Sequence, residues 1–291
     1  MAGKAETGGR TLPKQRARGP RAVFPSESDN LPEWRSYPQQ KGMQLVSDSA
    51  QIGARVIVVV PTYNEVDNVR QLAKRVLASF PRIELLIVDD NSPDGTGNLA
   101  DEIAAQEPRF HVMHRTKKRG YALSSREGLA WCRDNGYDFA VTMDGDLSHD
   151  PARIPALLKS ARAGAGLVVG SRYTTGGAVE ADWGPFRRAV SEMGSRYARA
   201  MIGTSVRDCT SGYRCYSAEA LRTLRFEKLH SEGYAFLIEV LARLSGAGVE
   251  VTEVPITYID RQHGASKISR GIILEALAET TGIGIRRLFR G

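Results

Sequence analysis

The sequence predicts an α/β fold with a mainly parallel sheet, helices on both of its faces and a smaller mixed part towards the C-terminus. Between residues 55 and 170, short apolar runs alternate with stretches whose apolar residues recur every three or four positions. The runs are rich in Val and Ile, which is typical of strands buried on both faces. An alternation of such strands with amphipathic helices indicates a parallel sheet covered on both sides.

Five strands are predicted in this part, each a continuous apolar run followed by a polar loop. They cover residues 55–60, 85–88, 110–113, 138–142 and 167–170. Helices with one apolar face are predicted between them: after Glu65, over 96–105, over 121–135, and after Asp150. Asp150 and Pro151 have the pattern of a helix cap with proline at the first helical position.

The alternation stops after residue 172. The sequence then predicts a glycine-rich loop over 174–183, a helix over 186–202, strands at 213–216 and 249–254, a helix near 234–244, and a last helix over 269–289. Three segments are therefore expected. They are a basic, flexible extension over 1–52, a main domain over 53–267, and an amphipathic C-terminal helix over 268–291.

Composition fits one large domain or two small ones, with 291 residues, 42% hydrophobic and 25% charged. No apolar run approaches the roughly 20 residues of a membrane span, and no secretory signal is recognisable, so a cytoplasmic protein is expected. The three cysteines lack metal or disulfide spacing, which predicts reduced, packed thiols. A net charge of +7 favours an anionic partner, and nucleic acid, phospholipid and phosphorylated substrates all qualify.

Polar clusters end three of the predicted strands, at residues 61–65, 89–91 and 144–146. The carboxyl ends of parallel strands share one edge of the sheet, where ligands bind in open α/β folds. Asp144 and Asp146 flank Gly145, and side chains two residues apart on an extended chain point the same way. Two carboxylates in this arrangement suit Mg²⁺ or Mn²⁺ carrying a phosphate. From these residues alone, an acidic turn that caps the next helix is an equally good interpretation.

Taken together, the motifs resemble those of family 2 glycosyltransferases of the GT-A (Rossmann-like) fold, over roughly residues 54 to 270. They are Pro-Thr-Tyr-Asn-Glu at 61–65, Val-Asp-Asp-Asn-Ser-Pro-Asp-Gly-Thr at 88–96 and Asp-Gly-Asp at 144–146. Further stretches resemble the polyprenyl- or dolichyl-phosphate mannose synthases within that family. These are Arg-Thr-Lys-Lys-Arg-Gly at 115–120, Met-Asp-Gly-Asp-Leu-Ser-His-Asp-Pro at 143–151, Gly-Ser-Arg-Tyr at 170–173 and Arg-Gln-His-Gly-Ala-Ser-Lys at 261–267.

The resemblance implies metal-dependent, inverting transfer of mannose from GDP-mannose to a polyprenyl phosphate. Its implied donor-binding residues are Pro61, Tyr63, Glu65, Val88, Asp90, Asp144, Gly145, Asp146, Ser148, Arg172, Arg261 and Lys267. The implied acceptor-phosphate residues are Arg172, Arg188, Ser191 and Arg261, and the implied catalytic residues are Asp146, Arg172, Arg188 and Arg261. The implied ligands of Mg²⁺ or Mn²⁺ are Asp144, Asp146 and Ser148. Ser148 stands where some relatives carry a metal-binding glutamine, and water could replace this weaker ligand.

Elementary chemistry agrees with a phosphate acceptor. With a second pKa near ~6, a phosphate monoester is largely a dianion at neutral pH and needs no strong base. Catalysis then depends on placing the anion in line with the sugar C1 and on neutralising the leaving diphosphate. Guanidinium groups suit this task because they grip phosphate oxygens two at a time. His149 is accordingly interpreted as a loop or capping side chain, and Cys209 and Cys215 as core residues.

A lipid acceptor implies a peripheral position at the cytoplasmic face of a membrane, without a transmembrane segment. Trp183-Gly184-Pro185-Phe186 and the C-terminal helix are candidate membrane-surface contacts. That helix could equally pack on the protein's own core. A membrane-embedded partner protein could recruit the chain, and no nucleic-acid partner is expected.

Two alternative functions stay open. One is a related family 2 transferase that uses a UDP-sugar such as UDP-glucose. The other is a non-catalytic basic binding or scaffold protein on the same fold, against which Asp144, Asp146 and Arg172 argue.

Overall fold

The computed structural model describes residues 53–180, 185–259 and 270–288, and only the backbone of 185–187, 270–275 and 288. The predictions for the extension over 1–52, for Trp183, for Arg261 and for Lys267 lie outside the described residues.

In the described part of the chain, nine strands form two sheets. The strands are β1 Val56–Thr62, β2 Glu84–Asp89, β3 Phe110–His114, β4 Phe139–Thr142, β5 Leu167–Ser171, β6 Ala178–Glu180, β7 Arg214–Ser217, β8 Val251–Pro255 and β9 Thr257–Ile259. The large sheet has the order β3-β2-β1-β4-β7-β5-β8, and β6 pairs with β9. Only β7 is antiparallel in the large sheet, to both β4 and β5. The predicted α/β class, mainly parallel with a mixed C-terminal part, is confirmed.

The described helices connect these strands and cover the large sheet. They are α1 Val66–Ser79, α2 Thr96–Ala104, α3 Tyr121–Asp134, α4 Ile154–Arg162, α5 Pro185–Ile202, α6 Ala218–Thr223, α7 Ala235–Gly246 and α8 Arg270–Leu288. One-turn 3₁₀ helices occupy Pro151–Arg153 and Phe226–Lys228. Asp150 caps the first of these by accepting a hydrogen bond from the Ala152 N–H at 3.1 Å, as its sequence pattern predicts.

Alternate residues of the central strands enter two separate hydrophobic layers, because side chains on a strand point to opposite faces in turn. Ile57 and Val59 of β1 pack in the layer that contains α3 and α7. Val58 and Val60 pack in the layer that contains α1 and α4. Each fully buried Val or Ile contributes about 1.5–3 kcal/mol. Burial on both faces explains why these strands read as continuous apolar runs.

Some elements differ from the sequence prediction. The glycine-rich stretch 174–183, predicted as loop, contains strand β6, which pairs with β9 almost eighty residues later. Helix α6 and strand β9 were not predicted at all. These elements are short, and the hydrogen bonds that define β6 and β9 come from a distant segment of the chain. For example, the Ala178 N–H donates to the Ile256 carbonyl at 3.0 Å.

The C-terminal helix α8 packs against α5 and α7. The hydroxyls of Tyr197 and Thr281 are 2.6 Å apart, and Ile283 is buried. Leu277 and Ile285 are exposed. The inward face of α8 therefore packs on the protein's own core, which was one of the two alternatives for this helix. None of the described helices combines the length and apolar character needed to span a bilayer.

Candidate active site

The Asp-Gly-Asp segment lies at the carboxyl edge of the sheet, against the end of β1. A Cβ atom added to Gly145 would lie 3.4 Å from Thr62 Cγ2 and 3.5 Å from Glu65 Cγ. The polar cluster at 89–91 lies next to the cluster at 61–65, because β2 lies beside β1 and the Asp90 N–H donates to the Thr62 carbonyl at 2.9 Å. The fold therefore brings together all three polar clusters that the sequence places at strand ends.

The loop after β2 holds the start of α1 in place. Three successive backbone N–H groups, those of residues 64–66, donate to Ser92 Oγ at 3.1 Å, Thr96 Oγ1 at 2.9 Å and Asp94 Oδ2 at 3.1 Å. Groups at a helix N-terminus need such acceptors, and here a neighbouring loop supplies them. Much of the Ser-Pro-Asp-Gly-Thr motif thus stabilises the edge on which the site is built.

Asp146 is oriented by its neighbour Ser148. The Ser148 N–H and hydroxyl donate to Asp146 Oδ1 at 3.1 and 2.6 Å, and both residues are buried. Leu147, between them, has a φ of +63° and a fully buried side chain. A leucine in this left-handed region is strained, and such strain persists only where the surrounding packing holds it. The backbone here is therefore held in one conformation, and Ser148 serves as a support for the Asp146 carboxylate.

Asp144 is held through its backbone by His149. The Asp144 N–H donates to His149 Nδ1 at 3.1 Å, and the buried imidazole stacks on Tyr213 with ring centroids 4.9 Å apart. Burial lowers the pKa of His149, although the charges of Asp144 and Asp146 act in the opposite direction. An Nδ1 that accepts a hydrogen bond carries no proton, so His149 is neutral with its proton on Nε2. It supports the loop, as the sequence predicts.

Gly212 and Tyr121, which the sequence analysis missed, lie beside the Asp144 carboxylate. A Cβ atom on Gly212 would lie 2.7 Å from the Tyr121 hydroxyl oxygen and 3.1 Å from Asp144 Oδ1. Only glycine leaves room for both groups. Burial and the Asp144 charge raise the pKa of Tyr121. No local pattern in the sequence indicates this contact, because the three residues come from three separate segments.

The residues present fit a divalent cation that arrives with its substrate. Among the described side chains, no group of three or more His, Cys, Asp and Glu residues is placed to hold a metal ion. Asp144 and Asp146 offer two carboxylates. Mg²⁺ commonly binds through one or two carboxylates, with water and substrate phosphates as its other ligands. A diphosphate-bound cation therefore suits this loop better than a cation enclosed by protein ligands alone.

Arg172 forms a buried ion pair with Asp208, a residue that the sequence analysis did not select. Its Nε and Nη2 donate to the two carboxylate oxygens at 2.7 Å each, and its backbone N–H donates at 3.0 Å. Burial alone would raise the pKa of Asp208 and lower that of Arg172. The opposite charges outweigh burial, so the pKa of Asp208 lies below its ordinary value and that of Arg172 above.

Ser191 and Arg188, which the resemblance implies as acceptor-phosphate residues together with Arg172, lie beside the segment that follows Arg172. Tyr173 follows Arg172, and its hydroxyl is 2.7 Å from Ser191 Oγ on α5. Arg188 lies one turn earlier on α5, exposed, with its Nη2 donating to the Val179 carbonyl at 3.3 Å. Ser191 and Arg188 on α5 thus both contact the segment 173–179, which directly follows Arg172.

Tyr258 lies between Arg172 and the loop that contains the Asp-Gly-Asp segment. Its ring lies 5.8 Å from the His149 ring and 5.8 Å from the Arg172 guanidinium carbon. The two halves of the predicted site therefore meet across one aromatic side chain.

Asp90 anchors the loop over 115–120. Its buried carboxylate is ion-paired with Arg115 at the start of the loop and accepts from the Gly120 N–H, at the end of the loop, at 2.6 Å. Arg119 in the loop donates to the Tyr63 hydroxyl at 2.8 Å, with its guanidinium 4.7 Å from the ring centroid. Val88 lies opposite Pro61 in the β1–β2 register, with its side chain in the core. The donor-binding roles of these residues stay predictions.

Comparison with known proteins shows the family to which the chain belongs. The family model described as Glycosyl transferase family 2 matches residues 57–225, and the chain belongs to that family. It is 40% identical over 237 residues to an undecaprenyl-phosphate mannosyltransferase of Micrococcus luteus, covering 81% of this chain and 97% of that protein. It is 43% identical over 255 residues to a polyprenol monophosphomannose synthase of Mycolicibacterium smegmatis, covering 86% and 96%. The chain is thus a glycosyltransferase.

The fold is also found in glucosyl-3-phosphoglycerate synthase from Mycobacterium tuberculosis. A crystal structure of that enzyme with Mn²⁺, UDP-glucose and phosphoglyceric acid matches with a TM-score of 0.61, covering 81% of each chain. The two sequences are only 20% identical, so this likeness concerns the fold alone.

Proposed function

We propose that this protein transfers mannose from GDP-mannose to a polyprenyl phosphate, with inversion and with the help of Mg²⁺ or Mn²⁺. The observation that carries the proposal is the placement of two groups of residues at one edge of the sheet. Asp144 and Asp146 lie at the end of β4 against β1, and Arg172 lies across Tyr258 from His149 of the same loop. Ser191 and Arg188 contact Tyr173 and Val179, in the segment that follows Arg172. The relatives' names, which specify mannose and polyprenyl or undecaprenyl phosphate, support the choice of substrates.

In the proposed reaction, an acceptor phosphate oxygen forms a bond to the mannose C1 as the bond from C1 to the diphosphate breaks, and GDP leaves. When bound by Asp144 and Asp146, the cation supplies positive charge to the leaving diphosphate. Arg172 and Arg188 hold the acceptor phosphate in line. No general base is required, and His149 is unsuited to act as one because its Nδ1 accepts from the Asp144 N–H.

A UDP-sugar donor is the second candidate, because the fold occurs in an enzyme solved with UDP-glucose. A donor panel separates the two. The full-length protein is incubated with Mg²⁺, detergent-solubilised polyprenyl phosphate and either labelled GDP-mannose or labelled UDP-glucose. We expect at least about tenfold more lipid-soluble label from GDP-mannose, since tenfold corresponds to only about 1.4 kcal/mol of discrimination. Label from UDP-glucose alone would contradict the proposed donor, and label from neither would contradict the transfer itself.

We also propose a peripheral position at the cytoplasmic face of a membrane, where the lipid acceptor is available. Helix α8 supports this with exposed Leu277 and Ile285 next to exposed Arg286 and Arg287, a combination suited to an anionic lipid surface. A membrane-embedded partner protein is part of the same proposal. The alternative of a non-catalytic scaffold is not favoured, because the chain belongs to an enzyme family.

Replacing Arg188 by alanine is expected to weaken the use of lipid phosphate while leaving GDP-mannose binding nearly unchanged. Arg188 lies on α5, away in sequence from the loops after β2 and β4 that carry Asp90 and Asp144. Loss of one charge-assisted contact to phosphate costs about 1.5–3 kcal/mol, or roughly ten- to hundredfold in acceptor efficiency. Acceptor titrations beside calorimetry of GDP-mannose binding measure the two effects separately.

Two further variants sharpen that test. Arg188→Lys should recover only part of the loss, since an ammonium keeps the charge without the two-pronged geometry. Arg196→Ala is the matched control, because Arg196 is an exposed arginine on the same helix that pairs with Glu192. Weaker GDP-mannose binding with an unchanged acceptor response in Arg188→Ala would place Arg188 on the donor side instead.

A further inference from the structure

Asp208 lies in the loop between α5 and β7 and has a fully buried side chain. Its carboxylate accepts three hydrogen bonds from Arg172, from the backbone N–H, Nε and Nη2. Two parallel bonds between a carboxylate and a guanidinium fix the plane of the guanidinium as well as its position. The direction in which Arg172 presents its remaining donors is therefore set by Asp208.

Asp208 is in turn held by rigid parts of the fold. Its backbone N–H donates to Glu253 Oε1 on β8 at 3.0 Å. The next residues are fixed by the buried Arg214 of β7, whose guanidinium donates to the Cys209 and Ser211 carbonyls at 2.8 Å each. A functional side chain is placed most precisely when the groups that support it are themselves locked by regular structure. The Asp208 carboxylate meets that condition.

The contacts also determine which edge of Arg172 is left for a ligand. Nε and Nη2 donate to Asp208, and Nη2 also donates to Thr210 Oγ1 at 3.0 Å. Of the five guanidinium N–H donors, these contacts with described residues use three. The two on Nη1 remain for a phosphate. If the guanidinium rotated, a different edge would face the site.

We propose that Asp208 is a positioning residue for the transfer reaction, which turns the Nη1 edge of Arg172 towards the acceptor phosphate. This inference rests on the proposed function, within which Arg172 binds the acceptor. Asp208 cannot act by attraction, because its negative charge opposes the binding of an anion nearby. Asp208 contributes by orienting Arg172, although its carboxylate also neutralises part of the positive charge of that residue.

The loss of charge and the loss of orientation in an Asp208 variant change the affinity for phosphate in opposite directions, so the direction of the measured change distinguishes them. Asp208→Asn removes a negative charge close to the phosphate site, so electrostatics alone would strengthen phosphate binding. Loss of orientation would weaken it. We expect the acceptor KM to rise about ten- to hundredfold, the range known for small misplacements of positioning groups, and the KM for GDP-mannose to change less than about threefold. Glu239→Gln is the matched control, because it removes the charge of another buried carboxylate that pairs with an arginine, on α7 and outside the site described above.

A double-mutant cycle separates positioning from a purely structural role. If Asp208 acts through Arg172, adding Asp208→Asn to an Arg172→Gln variant should lower activity no further. Arg172→Lys, which keeps the charge but lacks the fork, should resemble Asp208→Asn in its acceptor KM. Thermal unfolding of each variant identifies any that fail to fold. If Asp208→Asn is one of them, the acceptor KM of Arg172→Lys is used in its place.

An unchanged or lowered acceptor KM in Asp208→Asn, or in Arg172→Lys if the former does not fold, overturns the inference. So does a further loss when Asp208→Asn is added to Arg172→Gln. If the wild-type protein transfers no mannose, the proposed function fails separately. In that case, calorimetry with a short-chain polyprenyl phosphate tests the inference. We then expect the wild-type protein to bind this lipid phosphate and Asp208→Asn to bind it about tenfold or more weakly. Equal affinity of the two proteins, or no binding by the wild-type protein, overturns the inference.

Discussion

Replacing Asp146 by alanine is expected to lower mannosyl transfer by about a thousandfold or more, with a much smaller loss for Ser148→Ala. The Asp146 carboxylate is held in one orientation by two hydrogen bonds from Ser148, at the edge of the sheet where a diphosphate-bound cation would be held. A cation contributes several kcal/mol to neutralising a leaving diphosphate, and about 4 kcal/mol corresponds to a thousandfold in rate. Water can replace the serine hydroxyl but not the charge.

The measurement is turnover of GDP-mannose at fixed Mg²⁺, followed by addition of EDTA and restoration with Mg²⁺ or Mn²⁺. EDTA should stop the wild-type reaction, and either cation should restore it. Asp150→Asn serves as the control, because Asp150 is a nearby acid that caps a helix and pairs with Arg75. Near-normal turnover of Asp146→Ala in the presence of metal would show that the metal assignment is wrong.

The largest effect on stability is expected for Arg214→Met, a loss of about 3–5 kcal/mol in the free energy of unfolding. Arg214 is completely buried, and its guanidinium donates to the carbonyls of Ser211, Leu237 and Cys209 at 2.8 Å each. Methionine fills much of the same volume but leaves three buried acceptors unsatisfied, at about 1–3 kcal/mol each. Removing a buried charge recovers part of that cost, which places the expected value below the full sum.

Urea unfolding followed by tryptophan fluorescence and by circular dichroism measures the change, and coincidence of the two probes checks that unfolding is two-state. Arg196→Met is the comparison, because this exposed arginine makes a surface ion pair that is worth about 0.5 kcal/mol or less. A loss below about 1 kcal/mol in Arg214→Met would mean that the three carbonyls find other donors, and that Arg214 does not hold the 208–212 loop.

Local composition is enough to predict the parallel part of the fold and the position of Asp144 and Asp146 at the end of a strand. Runs such as 55–60 are buried on both faces, so local composition alone marks them as strands. Asp144 and Asp146 follow one of those strands directly, and the shared edge of a parallel sheet brings them to the end of β1. The motifs at these strand ends are specific enough on their own to indicate the glycosyltransferase family.

The residues that support those acids and arginines are known only from the three-dimensional fold. Asp208 lies thirty-six residues from Arg172, and Gly212 faces Asp144 and Tyr121 from a different segment of the chain. The antiparallel course of β7 and the pairing of β6 with β9 likewise depend on partners far along the chain. Periodicity and propensity describe neighbours in sequence. A buried ion pair or a close backbone approach arises between neighbours in space, so neither leaves a local pattern to find.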